Sequence, residues 1–432
     1  MPSAETAYLF RHALLRDAAY ELQLPGDRAK LHELAFHLIE QAFGGRAPEP
    51  PPLDAIDPLD FEPYPTDVVA FELAEHVRQA LAGNPEHELT ALQKLYLRRT
   101  AEHAEREFRT GEACTAWESL AALLDGASKG EAQRRSGVLH AQGGQLRRAE
   151  AAFQSALSAH REVADRRGEG IVLRGLAIVY SRTGRTEQAE RTVTQALAIH
   201  REVADRRSEG LALGNLAIVY QETGRAEQTE RTYGQALAIH REVGDRRGEG
   251  IALGNLASVY RETGRPEQAE RAYEQALAIH REVGNRRSEG IALGSLAVVY
   301  QETGRVEQAE HTHGQALAIH REVGNRHFEG IALGNLAIVY QSTGWVEQAG
   351  HKYEQALAIH REVGDRHFEG LALCDYAVLK VTTAQTQEAR ELFLQGTAIL
   401  RELGAKAELE RRTAAMRESC AKAGIEPLDA QA

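Results

Sequence analysis

The chain has 432 residues, 43% hydrophobic and 26% charged, with a formal charge of −12, the balance of a folded chain rather than a disordered one. Residues 1–129 carry 22 acids and 12 bases, so about −10 of the charge sits there, while the remaining 303 residues hold 41 acids and 39 bases. A near-neutral body behind an acidic N-terminal third has no basic footprint for a phosphate backbone, which excludes nucleic acid as an expected partner.

Residues 1–45 read as an amphipathic helical segment, through Phe10-Arg11-His12-Ala13-Leu14, Ala18-Ala19-Tyr20, Leu24-Pro25, Arg28 and Leu31-His32. This segment resembles the helical region that follows the ATPase core in STAND-type regulators, including those fused to adenylate cyclases or kinases. Phe71-Glu72-Leu73-Ala74-Glu75-His76 and Tyr96-Leu97-Arg98-Arg99 continue the resemblance to about residue 125. Those regulators hold phosphate on the backbone amides of a G-x-x-x-x-G-K-[ST] loop. This sequence contains no Gly-Lys pair, so no nucleotide is expected to bind. The chain begins about where such an ATPase would end, which suggests the distal part of a split or truncated regulator.

The segment 46–68 follows, and Pro48–Pro65 holds 7 of the 12 prolines. From Glu49 to Glu75 there are eight acids and no base, which predicts an extended, self-repelling, solvated linker. Residues 69–129 are helical again, with a degenerate repeat-like copy at Tyr96–Leu124 marked by Ala104, Gly111, Ala116 and Leu120.

From 130 to 409 the chain repeats itself. The string from Gly250 to Glu289 recurs with a period of 40 residues, its copies beginning at Gly170, Gly210, Gly250, Gly290 and Gly330, with weaker ones at Gly130 and Gly370. In the first half of a copy, Leu213, Leu216, Ala217 and Tyr220 fall on one helical face. Thr223-Gly224-Arg225 breaks the pattern, and in another copy Pro266 follows the same turn, at a position helices tolerate. The second helix sets Ala269, Tyr273, Ala276, Leu277 and Ile279 on one face and stops at Gly284, followed by Asn285, a residue suited to capping the next helix. One such pair cannot bury its stripe, whereas stacked pairs can. The order Leu216, Ala217, Tyr220, Gly224, Tyr233, Ala236, Leu237, with Ala189, Ala269, Ala309 and Ala349 at the alanine slot, resembles the tetratricopeptide repeat. The 40-residue period resembles its long, Pins-like and bacterial-regulator subclass. The resemblance implies an all-α fold, a right-handed superhelical solenoid of helix pairs that holds partner peptides in a concave groove. Lys406–Ala423 is the expected polar capping helix, and 410–432 the capping helix and tail.

No catalytic residue, cofactor or metal is expected. His32 and His37 superficially suggest a zinc-binding helix, but five positions apart they point about 140° away from each other. Cys114, Cys374 and Cys420 are irregularly spaced and form neither a disulfide framework nor a zinc cluster. His160, His200, His240, His280, His320 and His360 recur once per repeat and read as a solvated or helix-end ladder, since neighbouring helices stand too far apart to share a metal. Asn215, Asn255 and Asn335, with Ser295 in the same column, are the candidate peptide-binding residues. Asparagine is a poor interior helix residue, and here it recurs one position before a packed leucine, on the helix that lines the groove in the resembled family. It either pairs with the backbone of an extended ligand or fixes helix stacking. Phe328, Phe368 and Trp345 replace small or charged residues of the earlier copies, as contact aromatics or as tighter junction packing. No signal-peptide pattern or membrane-length apolar run is present, so a cytoplasmic location and no membrane partner are expected. The expected function is a non-catalytic scaffold for a partner protein or peptide. The alternative is the regulatory or sensor part of a split STAND-type ATPase, cyclase or kinase system.

Overall fold

The computed structural model describes residues 24–53, 55, 61–83 and 87–428. Among them the regular structure is nineteen α-helices and one 3-10 turn, with no strand. The helical expectations for Phe10–Leu14 and Ala18–Tyr20 fall outside the described residues. The chain forms two compact units, one running to Val219 and the other starting at Tyr220, within the helix Arg206–Glu222.

In the first unit, the helix Pro25–Ala42 packs on Ala70–Leu81, and that helix on His87–Arg106. Phe36, Tyr96 and Trp117 are fully buried at the centre, and the Tyr96 hydroxyl donates to Glu40 at 2.6 Å. The acidic, proline-rich stretch is not the solvated spacer that its composition predicts. Among its described residues, Pro51, Phe61, Glu62 and Asp67 are held on the helix His87–Arg106 by arginines. Arg98 donates to the Pro51 carbonyl, Arg106 to that of Phe61 at 3.2 Å, and Arg99 to that of Glu62 at 2.9 Å. Arg99 also pairs with Asp67 at 2.5 Å, both side chains almost wholly buried. The bases missing from the stretch are supplied by a helix some thirty residues later, which local charge patterning does not reveal.

Helix pairs complete this unit, Gly126–Gln142 with Leu146–Glu162 and Arg166–Arg182 with Thr186–Glu202. The second unit continues with Arg246–Glu262 and Pro266–Glu282, Arg286–Glu302 and Val306–Glu322, Arg326–Ser342 and Val346–Glu362, then Arg366–Thr382 and Thr386–Glu402. Each is built as the periodicity predicts. Asp245 and Asn285 accept from the backbone amides of Gly248 and Ser288, at 3.0 and 3.3 Å, and so start their helices. Ala252, Leu253, Leu256, Ala257 and Val259 are buried on one face, each large apolar side chain contributing about 1.5–3 kcal/mol. The chain turns through Gly264 at φ 73°, a left-handed conformation that glycine adopts without strain. The helix Lys406–Ala423 packs on Arg366–Thr382 and buries Met416 and Cys420. Its Arg412 pairs with Asp375 at 2.7 Å.

Candidate functional site

The asparagine column lies at the edge of the buried stripe of the first helices. Asn255, Ser295 and Asn335 are each half-buried, beside the buried Leu256, Leu296 and Leu336. The preceding residue is Gly254, Gly294 or Gly334, and a Cβ at any of these would meet nothing within 4 Å. Glycine inside a helix is unfavourable by about 1 kcal/mol relative to alanine, and packing within the chain does not demand it here. The column therefore leaves open space over the helix backbone. Ser295 and Asn335 line one cleft of 110 Å³ between successive first helices, with Ile291, Val298 and Phe328 as its apolar walls. Asn255 stands beside the buried Tyr233 phenol, offsetting part of the upward pKa push of burial. In the first unit, Asn215 keeps its Nδ2 buried without a hydrogen-bond partner. Such a surface offers neutral donors and acceptors with room for a close backbone approach.

The histidine column is at helix ends but is not solvated. His200, His280, His320 and His360 are at most 3% exposed, and burial holds each imidazole below its usual range. Each ring packs where the neighbouring first helix has glycine. A Cβ at Gly250 would come within 2.7 Å of the His280 ring. In the last pair the position is Leu400, fully buried, which marks the column as core. Beside it, Glu289 is buried and accepts from Arg281 at 2.8 Å and Arg286 at 2.6 Å. Phe328 stacks on His320 at 5.4 Å and Phe368 on His360 at 5.7 Å, so these two phenylalanines tighten junctions.

A second recurrent cluster closes the cleft between successive second helices. The turn arginine lies over the tyrosine ring five residues earlier, Arg185 over Tyr180 at 4.5 Å, Arg265 over Tyr260 at 4.6 Å and Arg305 over Tyr300 at 4.4 Å. The same guanidinium makes a two-pronged bond to a glutamate of the preceding second helix, as Arg305 does to Glu270 at 2.8 and 2.8 Å. Arg185 does so with Glu150 and Arg265 with Glu230. Sequence reading missed this cluster because its members are 35 residues apart. The visible signal is the recurrence of Thr-Gly-Arg in four turns, ending at Arg185, Arg225, Arg265 and Arg305.

Among the described residues, no three His, Cys, Asp or Glu side chains are placed to hold a metal ion. His32 meets His76 (Nδ1 to Nδ1, 2.8 Å), whereas His37 lies against Phe36. Cys114 lies 3.8 Å from the His140 ring, but burial, Glu118 and Glu105 push its thiol pKa up, the opposite of what an activated nucleophile needs. No described helix is long and apolar enough to cross a membrane.

A search of curated proteins returns no match. Among solved structures, the chain resembles a Signal Transduction ATPase with Numerous Domains (STAND) protein with a tetratricopeptide repeat sensor, from Pyrococcus horikoshii. The TM-score is 0.56 at 15% identity, over 81% of this chain and 55% of that one. The chain thus spans about half the length of that protein. It also resembles a Rap protein complexed with Competence and Sporulation Factor, at TM-score 0.56 and 15% identity, covering 80% of this chain and 98% of that one. The apo form of the quorum sensor NprR from B. thuringiensis matches at TM-score 0.55 and 14% identity, over 78% and 97% of the two chains. At such identities the likeness is one of fold. The tetratricopeptide repeat model matches residues 129–202, 208–282, 288–349 and 330–402, more than half of the sequence, and the chain belongs to the tetratricopeptide repeat family.

Proposed function

We propose that the chain is a non-catalytic scaffold that binds an extended peptide, or a peptide segment of a partner protein, on the face formed by its first helices. In the second unit Asn255, Ser295 and Asn335 hydrogen-bond the peptide backbone, and Asn215 does the same on the face of the first. The observation that carries this reading is the pairing of each polar residue with open space at Gly254, Gly294 and Gly334. The Ser295–Asn335 cleft supports it. In this reading 1–45 is the segment that follows an ATPase core in STAND regulators, 46–68 a connecting stretch, 69–129 a helical region with a degenerate repeat, 130–409 the binding array and 410–432 its cap and tail. The scaffold works in the cytoplasm, without nucleotide, in signalling.

A second reading makes the chain the sensor part of a split STAND-type ATPase, cyclase or kinase system. It is favoured by the fold it shares, over most of its length, with a STAND protein carrying a repeat sensor.

The test replaces Asn215, Asn255 and Asn335 together by alanine. Affinity for a linear peptide selected on the parent by display should fall, each lost hydrogen bond contributing about 0.5–1.5 kcal/mol. The melting temperature should hold or rise, because alanine is the better helix former. A destabilised variant, or a stable one that binds the peptide as tightly as the parent, contradicts the assignment.

A further inference from the structure

The arginine clamp is absent at one junction that keeps both of its receiving groups. Tyr340 and Glu310 occupy the places held by Tyr300 and Glu270 forty residues earlier, and Thr343 that of Thr303, whose hydroxyl accepts from Arg305 Nε at 3.0 Å. Where Arg305 stands in that junction, this one has Trp345. The indole is half exposed and lies against the Tyr340 ring at 5.5 Å, with a 34° tilt. It offers a flat aromatic face but no cation. Among the described residues no cation pairs with Glu310, whose neighbour is the Tyr340 hydroxyl. The helix Arg326–Ser342 floors a cleft of 680 Å³ here, between Val306–Glu322 and Val346–Glu362. Leu336 and Gly314 line its base; Glu307 and Glu310 are its acids, and Lys352 and His311 its basic groups.

We propose that this cleft receives an arginine side chain of a partner protein, whose guanidinium pairs with Glu310 and lies against the Tyr340–Trp345 ring pair, supplying in trans the cation that Arg185, Arg265 and Arg305 supply within the chain. The chain itself shows the recognition three times: a guanidinium over a tyrosine ring with two donors on one glutamate. A planar, delocalised cation suits both groups, because it stacks on aromatic faces and bonds a carboxylate with two parallel donors. A lysine ammonium, a point charge, neither stacks as a plane nor gives two parallel donors to one carboxylate. The site lies between second helices and is independent of the asparagine column, so either assignment can fail without the other.

Trp345 is its own reporter, since the only other tryptophan, Trp117, is fully buried in the other unit. The full chain is titrated at low ionic strength, where ion pairs are least screened, with N-acetyl-arginine amide and with N-acetyl-lysine amide, and emission is followed. The arginine probe should give a saturable change, the lysine probe should bind at least threefold more weakly, and Glu310→Gln should weaken the arginine response at least fivefold. Trp345→Arg should restore the internal clamp, so its melting temperature should exceed the parent's and no longer rise when the arginine probe is added. A response without saturation, equal binding of the two probes, or an unchanged Glu310→Gln overturns the proposal. So does a Trp345→Arg chain whose melting temperature still rises with the probe.

Discussion

Asp67→Ala is expected to lower the stability of the N-terminal helices by about 3–5 kcal/mol, the range for breaking a buried ion pair from one side. The Asp67 carboxylate takes Arg99 Nε at 2.5 Å and Nη2 at 3.0 Å and the Tyr64 amide at 2.7 Å. Removing it leaves the Arg99 guanidinium buried, with the Glu62 carbonyl and the faces of Phe61 and Tyr64 as its remaining neighbours. Substituting both members, Asp67→Ala with Arg99→Met, should recover most of the loss, because an apolar pair bears no desolvation penalty. Contacts in repeat chains are local, so the effect should not spread evenly. Hydrogen exchange resolves this: amides of Pro25–Ala42 and His87–Arg106 should lose protection in the single variant, while those of Arg286–Glu302 keep it. Unchanged exchange in the single variant would mean that the stretch carrying Asp67 is not held on its helix.

Lowering the pH from 7 to 4 is expected to remove about 3 kcal/mol of stability at His313 alone. His313 fills the slot of Tyr233, Tyr273 and Tyr353, is completely buried, and neither ring nitrogen has a hydrogen-bond partner. Burial lowers its pKa from 6.5 to about 4. A histidine depressed in the folded state binds its proton more readily when unfolded. Stability at this site is therefore full above pH 6.5 and declines as pH falls toward 4. The buried His200, His280, His320 and His360 shift in the same direction for the same reason. His313→Tyr should leave stability at pH 7 close to the parent's or above it, and reduce the acid loss by about 3 kcal/mol. The sister Tyr353 finds Gln341 at 3.1 Å, and Gln301 stands at the corresponding place for residue 313. Chemical denaturation of both proteins at pH 7 and pH 4 checks this, and equal acid losses would show that His313 is not buried neutral.

The fold was legible because its determinants are local and repeated. Leu256, Ala257, Tyr273 and Ala276 sit at helical spacing, Gly264 and Gly284 mark the turns, and both helices form where that pattern puts them. What the sequence hid depends on neighbours far along the chain. The His280 column looked polar and exposed, and its burial comes from Gly250 of an adjacent helix, where the missing side chain makes room for the ring. The Glu49–Glu75 stretch looked self-repelling because its cations, Arg98, Arg99 and Arg106, belong to a later helix. The turn arginine Arg265 has its glutamate partner, Glu230, 35 residues away, so local sequence shows only the turn and not the clamp with Tyr260. In the asparagine column, the polar residue one position before a packed leucine was legible, while the open space over Gly254 and Gly294 was not, since a glycine in sequence marks a crowded site as readily as an empty one.

Photo-crosslinking locates a peptide bound on the first-helix face. A display-selected peptide carrying a benzophenone in place of one central residue is bound to the parent chain and irradiated, and the attachment sites are read by mass spectrometry. Attachment is expected within Ile291–Val298 and Phe328–Asn335, around the cleft that Ser295 and Asn335 line, with loss of attachment on adding the unlabelled peptide. Competed attachment confined to the second helices, or to residues 24–129, would contradict that placement.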